Sequence, residues 1–106
     1  MNKGIYALHA DLCKTFSNPT RLEILDLLRD GPLSVSELVK KTGVGQANLS
    51  QHLGVMKSKG VLRSSRKGLN VYYELCNPKV LDAFDLIRSI LRDRLKENRK
   101  IMEAAA

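Results

Sequence analysis

The chain has 106 residues, 43% of them hydrophobic, which supports one domain with an ordinary core and is small for an enzyme with a deep cleft. Eighteen Lys and Arg against eleven Asp and Glu give a formal charge of +7. That balance suits a polyanionic partner but also simply keeps proteins soluble. The two cysteines, Cys13 and Cys76, show no CxxC or Cys/His ligand spacing, which excludes a disulfide scaffold. No apolar run approaches a bilayer span, and Asp11 interrupts the N-terminus early, so the expectation is a cytoplasmic protein without a membrane partner.

Residues 4–16 place Ile5, Leu8, Leu12 and Phe16 at helical spacing, with His9 and Cys13 beside that stripe. Ser17-Asn18-Pro19 breaks this helix and opens another with Pro early. From Thr20 to Arg29, Leu22, Ile24, Leu25, Leu27 and Leu28 cover most of the circumference, which predicts the most buried helix. Asp30-Gly31-Pro32 stops it.

The stretch Ser34 to Gly60 is the most informative. Ser34 or Ser36 can cap a short helix, and Glu37 lies three residues after Ser34, as in a capping box. Gly43 ends that helix, and a second starts near Gly45 or Gln46 and runs to about Lys59. Two helices joined by a Gly-containing turn predict a helix-turn-helix. In the second helix Leu49, Leu53 and Met56 share one side. The opposite side carries Ala47, Gln51 and Gly54, flanked by Asn48 and Ser50, instead of the usual Glu/Lys mixture. Amides can pair with adenine edges, and small residues permit close approach to a duplex.

Val61–Arg66 and Val71–Leu75 read as two strands around Lys67-Gly68-Leu69-Asn70, a hairpin of the kind called a wing. Arg66 and Lys67 fall near its tip, placed for phosphate or a minor groove. Residues 1–30 hold four basic and four acidic groups, whereas residues 57–67 hold Lys57, Lys59, Arg63, Arg66 and Lys67 with no acid. Asn77-Pro78 opens a last helix to near Met102, with Val80, Phe84, Ile87, Leu91 and Leu95 in one stripe widened by Leu86 and Ile90. The first and last helices have more apolar surface than one small core needs, which predicts a dimer through both ends of the chain.

Three segments together resemble the ArsR/SmtB-type winged-helix repressors. Asn18-Pro19-Thr20-Arg21-Leu22-Glu23-Ile24-Leu25-Asp26-Leu27-Leu28 is similar to their second helix. Gly45-Gln46-Ala47-Asn48-Leu49-Ser50-Gln51-His52-Leu53 resembles their recognition helix, and Gly60-Val61-Leu62 through Val71-Tyr72-Tyr73 their wing. The resemblance covers roughly residues 10–95. It implies a homodimer that binds a double-stranded DNA operator of approximate two-fold symmetry, and repression relieved by an inducer, whose identity stays unknown. The chain departs from the family's metal sensors. Ser36-Glu37-Leu38-Val39 carries no thiol where they often have Cys-x-Cys, and Asp82, Asp85 and Asp93 have no His near them. No metal and no cofactor are therefore expected. Leu69 also stands at a wing-tip position where a basic residue is frequent.

The expected fold is mainly α with a small β-hairpin wing, one winged helix-turn-helix domain over 1–106. Its parts are the helix-turn-helix at about 34–60, the wing at about 61–76 and dimerisation helices at about 4–16 and 79–102. The DNA-binding candidates are Gln46, Ala47, Asn48, Ser50, Gln51, His52, Lys57, Arg66, Lys67 and Asn70. Gln51 and Asn48 point outward most directly, Ser50 and Gln46 are lateral, and His52 lies on the other flank, where packing or bonding within the domain is equally open. Lys57, Arg66 and Lys67 suit phosphate better than bases, with solubilising surface charge as the plain alternative. No nucleophile pairs with a base and no Gly-rich phosphate loop occurs, so no enzyme is expected. Two other readings stand beside the repressor: a winged-helix protein-interaction module, and a thiol-sensing repressor using Cys13 and Cys76.

Overall fold

The computed structural model describes residues 3–105; residues 1, 2 and 106 of the expected 1–106 domain lie outside the described part. Within it run helices α1 (Lys3–Thr15) and α2 (Pro19–Leu27), a 3-10 turn (Leu28–Asp30), strand β1 (Leu33–Ser34), helices α3 (Val35–Thr42) and α4 (Gln46–Ser58), strands β2 (Leu62–Lys67) and β3 (Asn70–Leu75), and helix α5 (Lys79–Ala105).

Local chemistry sets most of these boundaries. The Asn18 side chain accepts from the amides of Thr20 at 2.9 Å and Arg21 at 3.2 Å, and Pro19 takes the position where a missing N–H costs nothing. Ser34 and Glu37 close a reciprocal capping box at the start of α3. Gly43 ends that helix at φ 72°, and Thr42 Oγ1 donates to Leu38 and accepts from the Val44 amide, which shapes the turn into α4. The end of α4 is a Schellman closure. The Val61 amide donates to the Met56 carbonyl, the Gly60 amide donates to that of Lys57, and Gly60 adopts φ 75°.

The core gathers Ile24, Leu25, Leu28, Leu38, Leu49, Leu53, Met56, Val61 and Leu62 into one buried cluster. Burying a side chain of this size contributes about 1.5–3 kcal/mol. The short helices α3 and α4 are therefore held on α2 by packing rather than by propensity. Ile24, Leu25 and Leu28 are buried, as expected of the second helix, while Leu22 and Leu27 pack at the margin.

The sheet has order β1-β3-β2, antiparallel throughout. The hairpin expected from the sequence is joined by β1, where Leu33 pairs with Tyr73 and Ser34 with Tyr72. Lys67 pairs with Asn70, so the turn is the two residues Gly68-Leu69 and not the four expected. Gly68 at φ 63° supplies the positive first turn angle that such a hairpin needs. Val61 falls outside the strand because its amide closes α4.

Helix α5 continues to Ala105, past the expected Met102. Leu81 is buried, and Val80 and Phe84 pack on the core, but Leu86, Ile87, Ile90, Leu91, Leu95, Ile101 and Met102 are exposed. On α1, Ile5, Leu8 and Leu12 are likewise exposed. The radius of gyration, 17.0 Å, exceeds the roughly 13 Å of a compact domain of this length because these helices project. Arg29 pins α5 to the 3-10 turn. Its Nη1 and Nη2 donate to Asp85 at 2.9 and 2.7 Å, and Nε donates to Asp26. The bonds from Arg29 hold the Asp85 carboxyl below its usual range, and the bonds to Asp85 and then Asp26 raise Arg29 above its own.

Candidate nucleic-acid interface

Helix α4 divides sharply between its two sides. Leu49, Leu53 and Met56 are fully buried, whereas Gln46, Ala47, Asn48, Ser50 and Gln51 are all exposed. The core contacts fix the rotation of the helix, so its amide and hydroxyl side chains face solvent without competing for packing. Gly45 supplies no side-chain cap, which leaves the first turn of α4 open to an incoming acceptor.

His52 lies on the other flank, half-buried, and its Nδ1 accepts from Arg21 Nε at 3.2 Å. Arg21 Nη1 also donates to the Thr15 carbonyl. His52 thus ties α4 to α2 and to the end of α1, the within-domain alternative left open by the sequence.

Five cations occupy residues 57–67, but they are not equivalent. Lys59 pairs with Asp11 at 2.9 Å, and Arg63 pairs across the hairpin with Glu74 at 2.7 Å, which raises the Arg63 pKa. Lys57 Nζ donates to Ser64 Oγ at 2.8 Å, steadying its stem against β2 while the charge stays unneutralised. Lys67 sits over the Tyr72 ring, 5.7 Å from its centroid. Among the described residues neither Arg66 nor Lys67 has a carboxylate partner, and both are exposed near the wing tip.

Between the start of α4 and the wing lies an open notch of about 290 Å³, lined by Ser36, Gln46, Ser50, Leu69, Asn70 and Tyr73 among others. It brings three predicted residues, Gln46, Ser50 and Asn70, to one place, whereas Lys57 sits further along the helix. Ser36, Leu69 and Tyr73 were not among the predicted contacts. Tyr73 is brought beside Leu33 by the pairing of β1 with β3, which no local pattern announces, and Ser36 stands in the first turn of α3 directly after β1.

Cys13 is exposed on α1 and Cys76 half-buried after β3, both as free thiols. Within the described residues no group of three or more His, Cys, Asp or Glu could hold a metal. At the place of the family's thiol pair, Glu37 is engaged in the capping box and Leu38 lies in the core. No helix among the described residues is long and apolar enough to cross a membrane.

Comparison with known proteins agrees with this geometry. The family model described as "Bacterial regulatory protein, arsR family" matches residues 18–64. The HTH-type transcriptional regulator Rv0081 of Mycobacterium tuberculosis is 33% identical over 103 residues, covering 96% of this chain and 90% of that protein. Its crystal structure superposes with a TM-score of 0.81 over 92% of this chain and 98% of that one. The transcriptional repressor PagR of Bacillus anthracis is 38% identical over 82 residues, 76% of this chain and 82% of its own length. The solution structure of a homodimeric winged helix-turn-helix DNA-binding domain from Mycobacterium bovis, 27% identical, gives a TM-score of 0.80 over 92% of each chain. The chain belongs to the arsR family of bacterial regulatory proteins, transcriptional regulators built on the winged helix-turn-helix.

Proposed function

We propose that this protein is a cytoplasmic, homodimeric transcriptional repressor that binds a two-fold-symmetric DNA operator without using the family's usual metal sites. The observation that carries the reading is the exposed, uncharged polar face of α4, Gln46, Ala47, Asn48, Ser50 and Gln51, set directly opposite a fully buried apolar face. Each protomer lays that face in a major groove, with Gln51 and Asn48 toward base edges and Lys57, Arg66 and Lys67 on phosphates. Asn70 and Ser50 line the notch beside the strand backbone. Exposed apolar side chains of α1 and α5, such as Leu8, Leu12, Ile87 and Leu91, support dimerisation through both ends of the chain. The relative from Mycobacterium bovis is homodimeric, which supports a dimer here.

Selection of bound sequences from a random duplex pool tests the reading, and a palindromic winner is expected. Gln51→Ala is then expected to lose about 1–3 kcal/mol of preference for that winner, roughly 5- to 150-fold, with binding to a scrambled duplex unchanged. Full discrimination by the Gln51→Ala protein would remove Gln51 from the base-reading set.

A further inference from the structure

We propose that Leu69 is an apolar contact to DNA, seated against the deoxyribose walls of the minor groove that flanks the operator; this rests on the DNA-binding reading above. Leu69 is 99% exposed, an extreme among the exposed large apolar residues of the chain. The pairing of Lys67 with Asn70 leaves Gly68 and Leu69 alone in the turn, and Gly68 at φ 63° closes it in two residues, so Leu69 is held at the outermost point of a short hairpin.

Leu69 borders the notch that also holds Gln46 and Ser50 of α4, so the wing tip and the reading face lie on one side of the domain. Immediately before the turn, Arg66 and Lys67 have no carboxylate partner among the described residues, and Lys67 is steadied over Tyr72. Two cations beside an apolar tip match a groove with phosphate rims and hydrocarbon walls. Apolar side chains are used against the minor groove in this way. The contact displaces no counterion, so its contribution is independent of salt, unlike that of the cations beside it.

The full chain, with Leu69→Ala and Leu69→Arg variants, is titrated against its selected duplex between about 50 and 200 mM salt, with hydroxyl-radical footprinting in parallel. Truncation at Leu69 removes no core contact. Leu69→Ala is expected to weaken binding by about three- to tenfold at every salt concentration with the salt slope unchanged. It should expose the flanking sugars to cleavage while central protection persists. Leu69→Arg should steepen the slope by about 1.8 for two protomers. A Leu69→Ala protein with parental affinity and parental flanking protection overturns the proposal while leaving the DNA reading intact. So does a loss that varies with salt. A parent chain that retains no duplex overturns both.

Discussion

The salt dependence of DNA binding can be worked out from the ion pairs. Five cations lie between Lys57 and Lys67, but Lys59 is held by Asp11 and Arg63 by Glu74, which leaves Lys57, Arg66 and Lys67 without a carboxylate. Three per protomer make six in the proposed dimer. Each phosphate neutralised on B-form DNA contributes about −0.9 to the slope of log K against log salt, so the slope is expected near about −5. Between about 50 and 200 mM salt that is roughly a thousandfold loss of affinity. If all five cations engaged phosphate, the slope would approach about −9, a loss of a few hundred-thousandfold. Fluorescence anisotropy of a labelled operator, titrated with NaCl, separates the two. Lys67→Gln should flatten the slope by about 1.8, and Lys59→Gln should leave it in place. A parental slope near about −9, or equal flattening by both substitutions, refutes the division of these cations into free and engaged.

Two further predictions concern stability. Asn18→Ala removes the acceptor of two amide hydrogen bonds at the start of α2 and should lower unfolding stability by about 1 kcal/mol, read as a shift in urea midpoint at constant slope; an unchanged midpoint would deny the cap its role. The Asp85 carboxyl is held below its usual range by Arg29, so its stabilising effect is complete above the ordinary carboxylate pKa and is lost as pH falls through the lower folded value. The stability gap between the parent and Asp85→Asn should therefore be constant near neutrality and narrow below about pH 4. A gap that widens on acidification would contradict this assignment.

Features governed by neighbours along the chain were legible in the sequence. Asn18-Pro19, the Ser34/Glu37 box and Gly43 act within one turn of backbone, and each stands where its residue types place it. The apolar side of α4 was also readable, because Leu49, Leu53 and Met56 repeat with the helix. Features that depend on distant partners were not. Strand β1 is two residues long, too short for any period, and exists only because Tyr73 and Tyr72 come alongside. The charge run at 57–67 looked uniform because Asp11, which neutralises Lys59, lies 48 positions away. His52 could be assigned to a flank, but Arg21, 31 residues earlier, decides what it bonds. Local residue types suggest a four-residue turn, but Lys67 and Asn70, both turn-compatible, complete the ladder and leave two.

The joint between α4 and the sheet has a consequence for control. Val61 donates its amide back to Met56 and offers its carbonyl to the amide of Cys76, so one residue stitches both ends of the hairpin to the last turn of the helix. A hairpin sewn in this way shares one backbone joint with its helix, so wing and α4 form a single jaw. In the dimer proposed above, the gap between two such jaws is then the quantity that a regulatory signal would set.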